Sequence, residues 1–213
     1  AWKIAPALAY GNTVVFKPAE IVPGCAWAIA EILSRAGLPD GVFNMVLGSG
    51  RVVGQALVEH PRLDALTFTG SVPTGHALLK QAAARALKVQ MEMGGKNPLV
   101  VLADADLDQA VECAVNGAYF STGQRCTASS RLIVESAVYD EFVAKVQARL
   151  ARIKVGDPLE QGVDIGPVAS GAQLQTDLSY IQAGHDDGAE LLAVGGRVEW
   201  KTQGHFLAPT LFA

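Results

Sequence analysis

The sequence predicts an α/β fold made of two successive domains, each a parallel sheet with helical crossovers. Short β-rich runs alternate with helical runs along all 213 residues. The strand-like runs read as continuously apolar, as in sheets covered on both faces. The alternation restarts after Gly94-Gly95, so 1–94 and 95–213 are expected to be separate domains.

The elements follow in order. Asn12 to Lys17 is a β-rich run after Gly11. Ala26 to Arg35 has helical spacing (Ile29, Ile32, Leu33) and is ended by Gly37 and Pro39. Val42 to Leu47 is the next strand, and Gly48-Ser49-Gly50 turns into a helix from Val52 to Glu59. Ala65 to Thr69 is a third strand. Gly70-Ser71 leads into a helix from Thr74 to Leu87, and Lys88 to Met93 is a fourth strand. In the second domain Asn97 to Leu102 is a strand. Asp106 to Phe120 is a helix with Leu107, Ala110, Val111 and Ala114 on one face. Arg131 to Val134 is a strand and Ala137 to Ile153 a helix. Lys154 to Gly166 is turn-rich, Ala172 to Ala183 is a helix, and Glu190 to Val194 is a short strand. The chain opens in a helix-like run, Ala1 to Leu8, without an initiator methionine, and stops in a strand-like run at Ala213. It is expected to be a segment of a longer protein.

Half the residues are apolar and 18% are charged, enough for a substantial core. A net charge of −4 without a basic run argues against nucleic acid as a partner. No apolar stretch reaches the roughly 18 residues of a membrane span. The first residues do not read as a secretory signal. Three scattered cysteines form neither a disulfide framework nor a metal site, so a reducing, cytoplasmic setting without a metal is expected.

Cys126 is the principal candidate for chemistry. It lies in Ser121-Thr122-Gly123-Gln124-Arg125-Cys126-Thr127-Ala128-Ser129-Ser130-Arg131, a small, polar loop. A nucleophilic thiol needs exposure and a cationic or polar neighbourhood; a passive loop thiol is the ordinary alternative. Cys25 and Cys113 sit among apolar residues on helices and are expected to be buried. Glu92 ends an apolar strand beside two glycines, and a half-buried carboxylate there can act as a general base. A solvated strand-end glutamate is the alternative. Gly70 and Ser71 open a helix after a strand, a place that favours phosphate, although the run is not the G-x-G-x-x-G fingerprint. Gly50 and Arg51 are similarly placed. Lys17 and Glu20 could meet a ribose or phosphate, or be surface charge.

Several motifs then coincide. They are Trp2-Lys3 with Pro6-Ala7-Leu8, Gly11 to Glu20, Phe68-Thr69-Gly70-Ser71, Glu92 to Pro98, Gly123-Gln124-Arg125-Cys126 and Asp164-Ile165-Gly166-Pro167. In this order and spacing the chain resembles the NAD(P)-dependent aldehyde dehydrogenase superfamily along its whole length. The resemblance implies part of a Rossmann-like NAD(P)-binding domain (1–94) and part of an α/β catalytic domain (95–213), truncated at both ends. It implies Cys126 as the thiol that attacks an aldehyde, Glu92 as the base that activates the deacylating water, and Lys3 beside the proton path. It also implies Lys17 and Glu20 at the adenosine ribose, Gly50 and Arg51 near the adenine edge, Gly70 and Ser71 at the pyrophosphate, and Met93 among the cofactor contacts. The family's upstream oxyanion asparagine and downstream nicotinamide-ribose glutamate have no counterpart in these residues. Little activity is therefore expected of this segment alone, whereas the longer protein is expected to be a homodimer or homotetramer.

Glu92 argues for the branch that hydrolyses its thioester. A closer resemblance, on Pro23 to Ala28, Gly48 to Gly54 and Ser121 to Arg131, is to α-ketoglutaric semialdehyde (2,5-dioxovalerate) dehydrogenases. It implies a small aldehyde carrying a carboxylate, for which Arg125 is the candidate partner. Glu20 would favour NAD, and Lys17 and Arg51 would offset its repulsion of NADP, so either cofactor is expected to serve. The rival readings are a non-redox thiol esterase or acyltransferase, an acyl-phosphate reductase, and a non-catalytic relative of the fold.

Overall fold

The computed structural model describes residues 1–193 and 195–213. It divides into two compact units, Ala1–Met93 and Gly94–Ala213. Among the described residues no helix is long and apolar enough to cross a membrane.

The first unit begins with α1 (Ile4–Ala9). β1 (Val14–Phe16) and β2 (Phe43–Met45) pair in parallel across α2 (Pro23–Arg35). Gly50–Gly54 is a single π turn that runs into α3 (Gln55–Glu59). β3 (Ala65–Gly70), α4 (Val72–Ala83) and β4 (Lys88–Met93) form a βαβ unit whose strands pair in parallel from Ala65 opposite Lys88 to Gly70 opposite Met93. α4 begins two residues before its expected start because Pro73 fits a helix's first turn, where its missing N–H has no role.

The second unit pairs β5 (Asn97–Val101) with β6 (Ser129–Val134) in parallel across α5 (Leu107–Tyr119). α5 and α6 (Tyr139–Leu150) cover this pair. The core between them is Val101, Val111, Ala114, Val115, Phe142, Val146 and Leu150. Val111, Ala114 and Val115 are spaced to bury one stripe of α5. Asp106 caps that helix by accepting from the Asp108 and Gln109 N–H groups. α7 (Gly171–Asp186) follows. β7 (Leu191–Ala193), β8 (Gly196–Arg197), β9 (Leu207–Ala208) and β10 (Leu211–Phe212) then form two short antiparallel pairs, β7 with β10 and β8 with β9. The expected strand end at Val194 lies outside the described residues.

Four expectations need correction. Within these residues the βαβ strands are covered on one face only. Along β3 and β4 burial alternates: Leu66, Phe68, Val89, Met91 and Met93 are half-buried, whereas Thr67, Thr69, Lys88, Gln90 and Glu92 are exposed. The reason is the period of two of a strand, which gathers these polar residues on one face. The single helix expected over Val52–Glu59 is divided into a π turn and α3. The single helix expected over Ala137–Ile153 is a 3-10 turn, Ser136–Val138, followed by α6. Cys25 and Cys113 are exposed, not buried. Each lies one position off the stripe its helix buries, beside Ala26 and Ala114 respectively.

Candidate active site

In the first unit a polar row runs over the open face of β3 and β4. Thr67 is opposite Gln90 and Thr69 opposite Glu92 in the parallel register. Lys3, at the start of α1, reaches this row. Its Nζ donates to Thr67 Oγ1 at 2.8 Å and to Gln90 Oε1. The Thr67 hydroxyl also donates to Gln90 Oε1, at 2.6 Å. Gln90 Nε2 in turn donates to Glu92 Oε1 at 2.7 Å. Lys3 and Glu92 are thus joined through one amide. Glu92 is exposed rather than half-buried, because it falls on the polar face of β4. Sequence reasoning missed Gln90 and Thr67. The alternation around Val89, Met91 and Met93, which sets Gln90 on the same face as Glu92, was the available signal.

The other residues singled out in this unit form two groups. Glu20 Oε1 accepts the Gly50 N–H at 2.8 Å, which draws the carboxylate to the start of the π turn that contains Arg51. Ser49 Oγ accepts from the Val52 N–H at 3.2 Å in the same turn. π turns of this kind recur at functional sites. Lys17 folds back, its Nζ on the Pro18 carbonyl at 2.6 Å. Ser71 caps α4, accepting from the Thr74 N–H at 3.4 Å and donating to Thr74 Oγ1 at 2.9 Å. Gly70 and Gly75 both lie against side chains. A Cβ on Gly70 would stand 2.4 Å from the Phe68 ring, and one on Gly75 would stand 2.4 Å from the Met93 sulfur. The Met93 side chain is therefore used in packing beneath α4.

In the second unit Cys126 is exposed at the end of a loop that leaves α5 through a tight, non-helical turn at Phe120–Gly123. Ser121, Thr122 and Gly123 are consecutive residues with positive φ, at 55°, 54° and 67°. For two non-glycine residues this is a strained conformation, of a kind that concentrates at functional sites. Gly123 is required, since a Cβ there would stand 2.7 Å from the Ala118 carbonyl oxygen. Side chains hold the loop from several directions. Asn97 Nδ2 donates to the carbonyls of Cys126 at 2.8 Å and Ala128 at 3.1 Å. Gln124 donates to Thr122 Oγ1 and accepts the Ala169 N–H at 3.2 Å. Arg125 donates to the Asn116 carbonyl of α5, so its guanidinium is held against that helix. Among the described residues the Cys126 N–H makes no hydrogen bond. Asn97, too, was given no role from sequence; only the folded loop shows what its amide holds.

The aldehyde dehydrogenase family model matches residues 1–213. The chain belongs to the aldehyde dehydrogenase family. It is 50% identical to the α-ketoglutaric semialdehyde dehydrogenase of Bacillus subtilis (strain 168), over 99% of this chain and 44% of that protein. Among solved structures it is similar to HpcC from Thermus thermophilus, at 46% identity and a TM-score of 0.93, over 99% of this chain and 42% of that one. It is similar also to a betaine aldehyde dehydrogenase from Staphylococcus aureus solved in complex with NAD+, at 37% identity and a TM-score of 0.93, over 99% and 42% of the two chains. The α/β fold expected from the sequence is thus the fold of aldehyde dehydrogenases. The chain spans less than half the length of the relatives it matches.

Proposed function

We propose that this aldehyde dehydrogenase chain forms the cofactor and thiol regions of an enzyme that oxidises a carboxylate-bearing semialdehyde, such as 2,5-dioxopentanoate, to the carboxylate with NAD or NADP. The observation that carries the proposal is the exposed Cys126 on its strained, side-chain-braced loop. The 50% identity to a semialdehyde dehydrogenase supports the substrate class.

The residues fit a dinucleotide. Ser71 fixes the first turn of α4, a helix start that favours a phosphate, and no Cβ can occupy Gly70 without meeting Phe68. Glu20 uses one carboxylate oxygen on Gly50, which leaves the other for a ribose hydroxyl; Arg51 follows Gly50 in the same π turn and Lys17 lies three residues before Glu20 in sequence. The NAD+ complex of the Staphylococcus aureus relative supports the cofactor class.

The chemistry assigned to the chain's own residues is as follows. The Cys126 thiolate forms a C–S bond to the aldehyde carbon, and the carbonyl π electrons move to the oxygen, for which the Cys126 N–H is a donor. A nicotinamide dinucleotide, when bound, supplies the acceptor for the hydride that leaves this carbon. What remains on Cys126 is a thioester. Glu92 takes a proton from water as the water oxygen attacks the thioester carbon. The C–S bond breaks, the thiolate is restored and the carboxylate departs. Arg125 keeps four of its five N–H donors free of Asn116 and is the candidate partner for the substrate's distal carboxylate.

The test uses full-length protein, meaning this chain within a polypeptide of its relatives' length. Intact-mass spectrometry with a panel of semialdehydes and both cofactors should show Glu92→Gln accumulating one acyl group on Cys126, and Cys126→Ala accumulating none. Turnover of activated esters without any response of the protein to NAD or NADP would instead establish the non-redox thiol enzyme.

A further inference from the structure

Gln90 occupies a position that no reading of the thiol and base accounts for. Lys3 Nζ can only donate and a Glu92 carboxylate can only accept. Between them Gln90 presents its carbonyl to the ammonium and its NH2 to the carboxylate, at 2.7 Å on the Glu92 side. Thr67 reinforces this orientation, since its hydroxyl accepts from Lys3 at 2.8 Å and donates to the same Gln90 oxygen at 2.6 Å. The amide has one satisfactory orientation, and a flip would set NH2 against an ammonium and C=O against a carboxylate. The register places Gln90 beside Thr67 and one pleat repeat from Glu92, so Thr67 and Gln90 meet the lysine directly on one open face and Glu92 is reached through Gln90. An exposed glutamate without such a tether samples several rotamers.

We propose that Gln90 is a positioning residue for deacylation: its side-chain amide ties Glu92 to Lys3 and holds the carboxylate in one orientation. This rests on the reading of Glu92 as the deacylating base. The amide relays no proton between Glu92 and Lys3; it limits the rotamers of Glu92 and presents Oε2 to water. Aliphatic substitution at position 90 removes both ends of the link while keeping the strand, since residue 90 is exposed.

The experiment follows p-nitrophenyl acetate hydrolysis by full-length protein in a stopped-flow instrument. The ester acylates the thiol without any cofactor, so the burst of nitrophenol reports acylation and counts competent sites, and the steady rate reports deacylation. Gln90→Leu should keep the burst and kcat/KM while kcat falls about tenfold, the effect of losing one charge-assisted hydrogen bond. Gln90→Glu keeps an acceptor for Lys3 but sets a like charge beside Glu92, and kcat should fall at least as far. Lys3→Met combined with Gln90→Leu should fall no further than the worse single variant, as for members of one network. An unchanged kcat in Gln90→Leu overturns the proposal, as does a parallel loss of burst and kcat/KM or an additive double variant. Glu92→Gln separates the two claims. If it deacylates normally, the base assignment fails; if it stops after the burst while Gln90→Leu does not slow, only the role of Gln90 fails.

Discussion

Gly123→Ala isolates the contribution of the thiol loop's conformation. Gly123 has φ +67°, and an added Cβ would stand 2.7 Å from the Ala118 carbonyl oxygen. An L-residue in the left-handed region costs roughly 1–2 kcal/mol. Crowding a backbone atom, which cannot rotate aside, adds roughly 1 kcal/mol or more. Together they come to at least about 2 kcal/mol, or roughly 30-fold in the ratio of the native loop to its alternatives. Asn97 grips the loop at Cys126 and Ala128, so the strain cannot be relieved without disturbing the thiol. The assay is iodoacetamide alkylation of full-length protein followed by peptide mapping, with Cys25 on α2 as the reference thiol. The Cys126 rate, and turnover with it, should change by at least that factor while Cys25 is unaffected. Gly162→Ala is the control. It has φ +83° but open space around the added Cβ, so it should lower stability without altering Cys126. Native alkylation and turnover in Gly123→Ala would refute the idea that loop conformation governs the thiol.

Three further outcomes are expected. Burial raises the Tyr119 hydroxyl from its ordinary pKa of 10.0 to about 12, and this hydroxyl donates to the Thr210 carbonyl at 3.0 Å. A raised pKa gives stability that is complete below pH 10 and lost as pH rises through about 12, a swing of about 3 kcal/mol. Urea melts of Tyr119→Phe at pH 8 and pH 11 should therefore show a smaller alkaline loss than the parent. Phe142→Ala empties a core position that is 1% exposed and should cost about 3–5 kcal/mol in denaturant unfolding of the second unit. Arg51→Ala should raise KM for NADP more than for NAD in the full-length enzyme, and an equal rise would remove Arg51 from cofactor selection.

Much was legible in the sequence because the relevant signals are local. The β3-α4-β4 unit follows from an apolar period and a Gly-Ser helix start, and β4 has the bounds its residues predict, Lys88 to Met93. Cys126 and Glu92 are found as residue types in a run of small polar residues and a glycine turn, which is one-dimensional information. Tertiary structure decided what these groups touch. That Gln90 links Lys3 to Glu92 depends on a parallel register between strands separated by a helix. That Arg125 is drawn to Asn116 and Asn97 to the Cys126 carbonyl depends on a three-residue left-handed turn, whose two non-glycine residues carry no propensity for it. Exposure of Cys25 and Cys113 likewise depends on which stripe of each helix faces its strands. The sequence by itself determined the chemistry available to this protein, because chemistry belongs to residue type and spacing. Only the fold decided the orientation of that chemistry, because hydrogen bonds between distant residues exist only once the strands are paired.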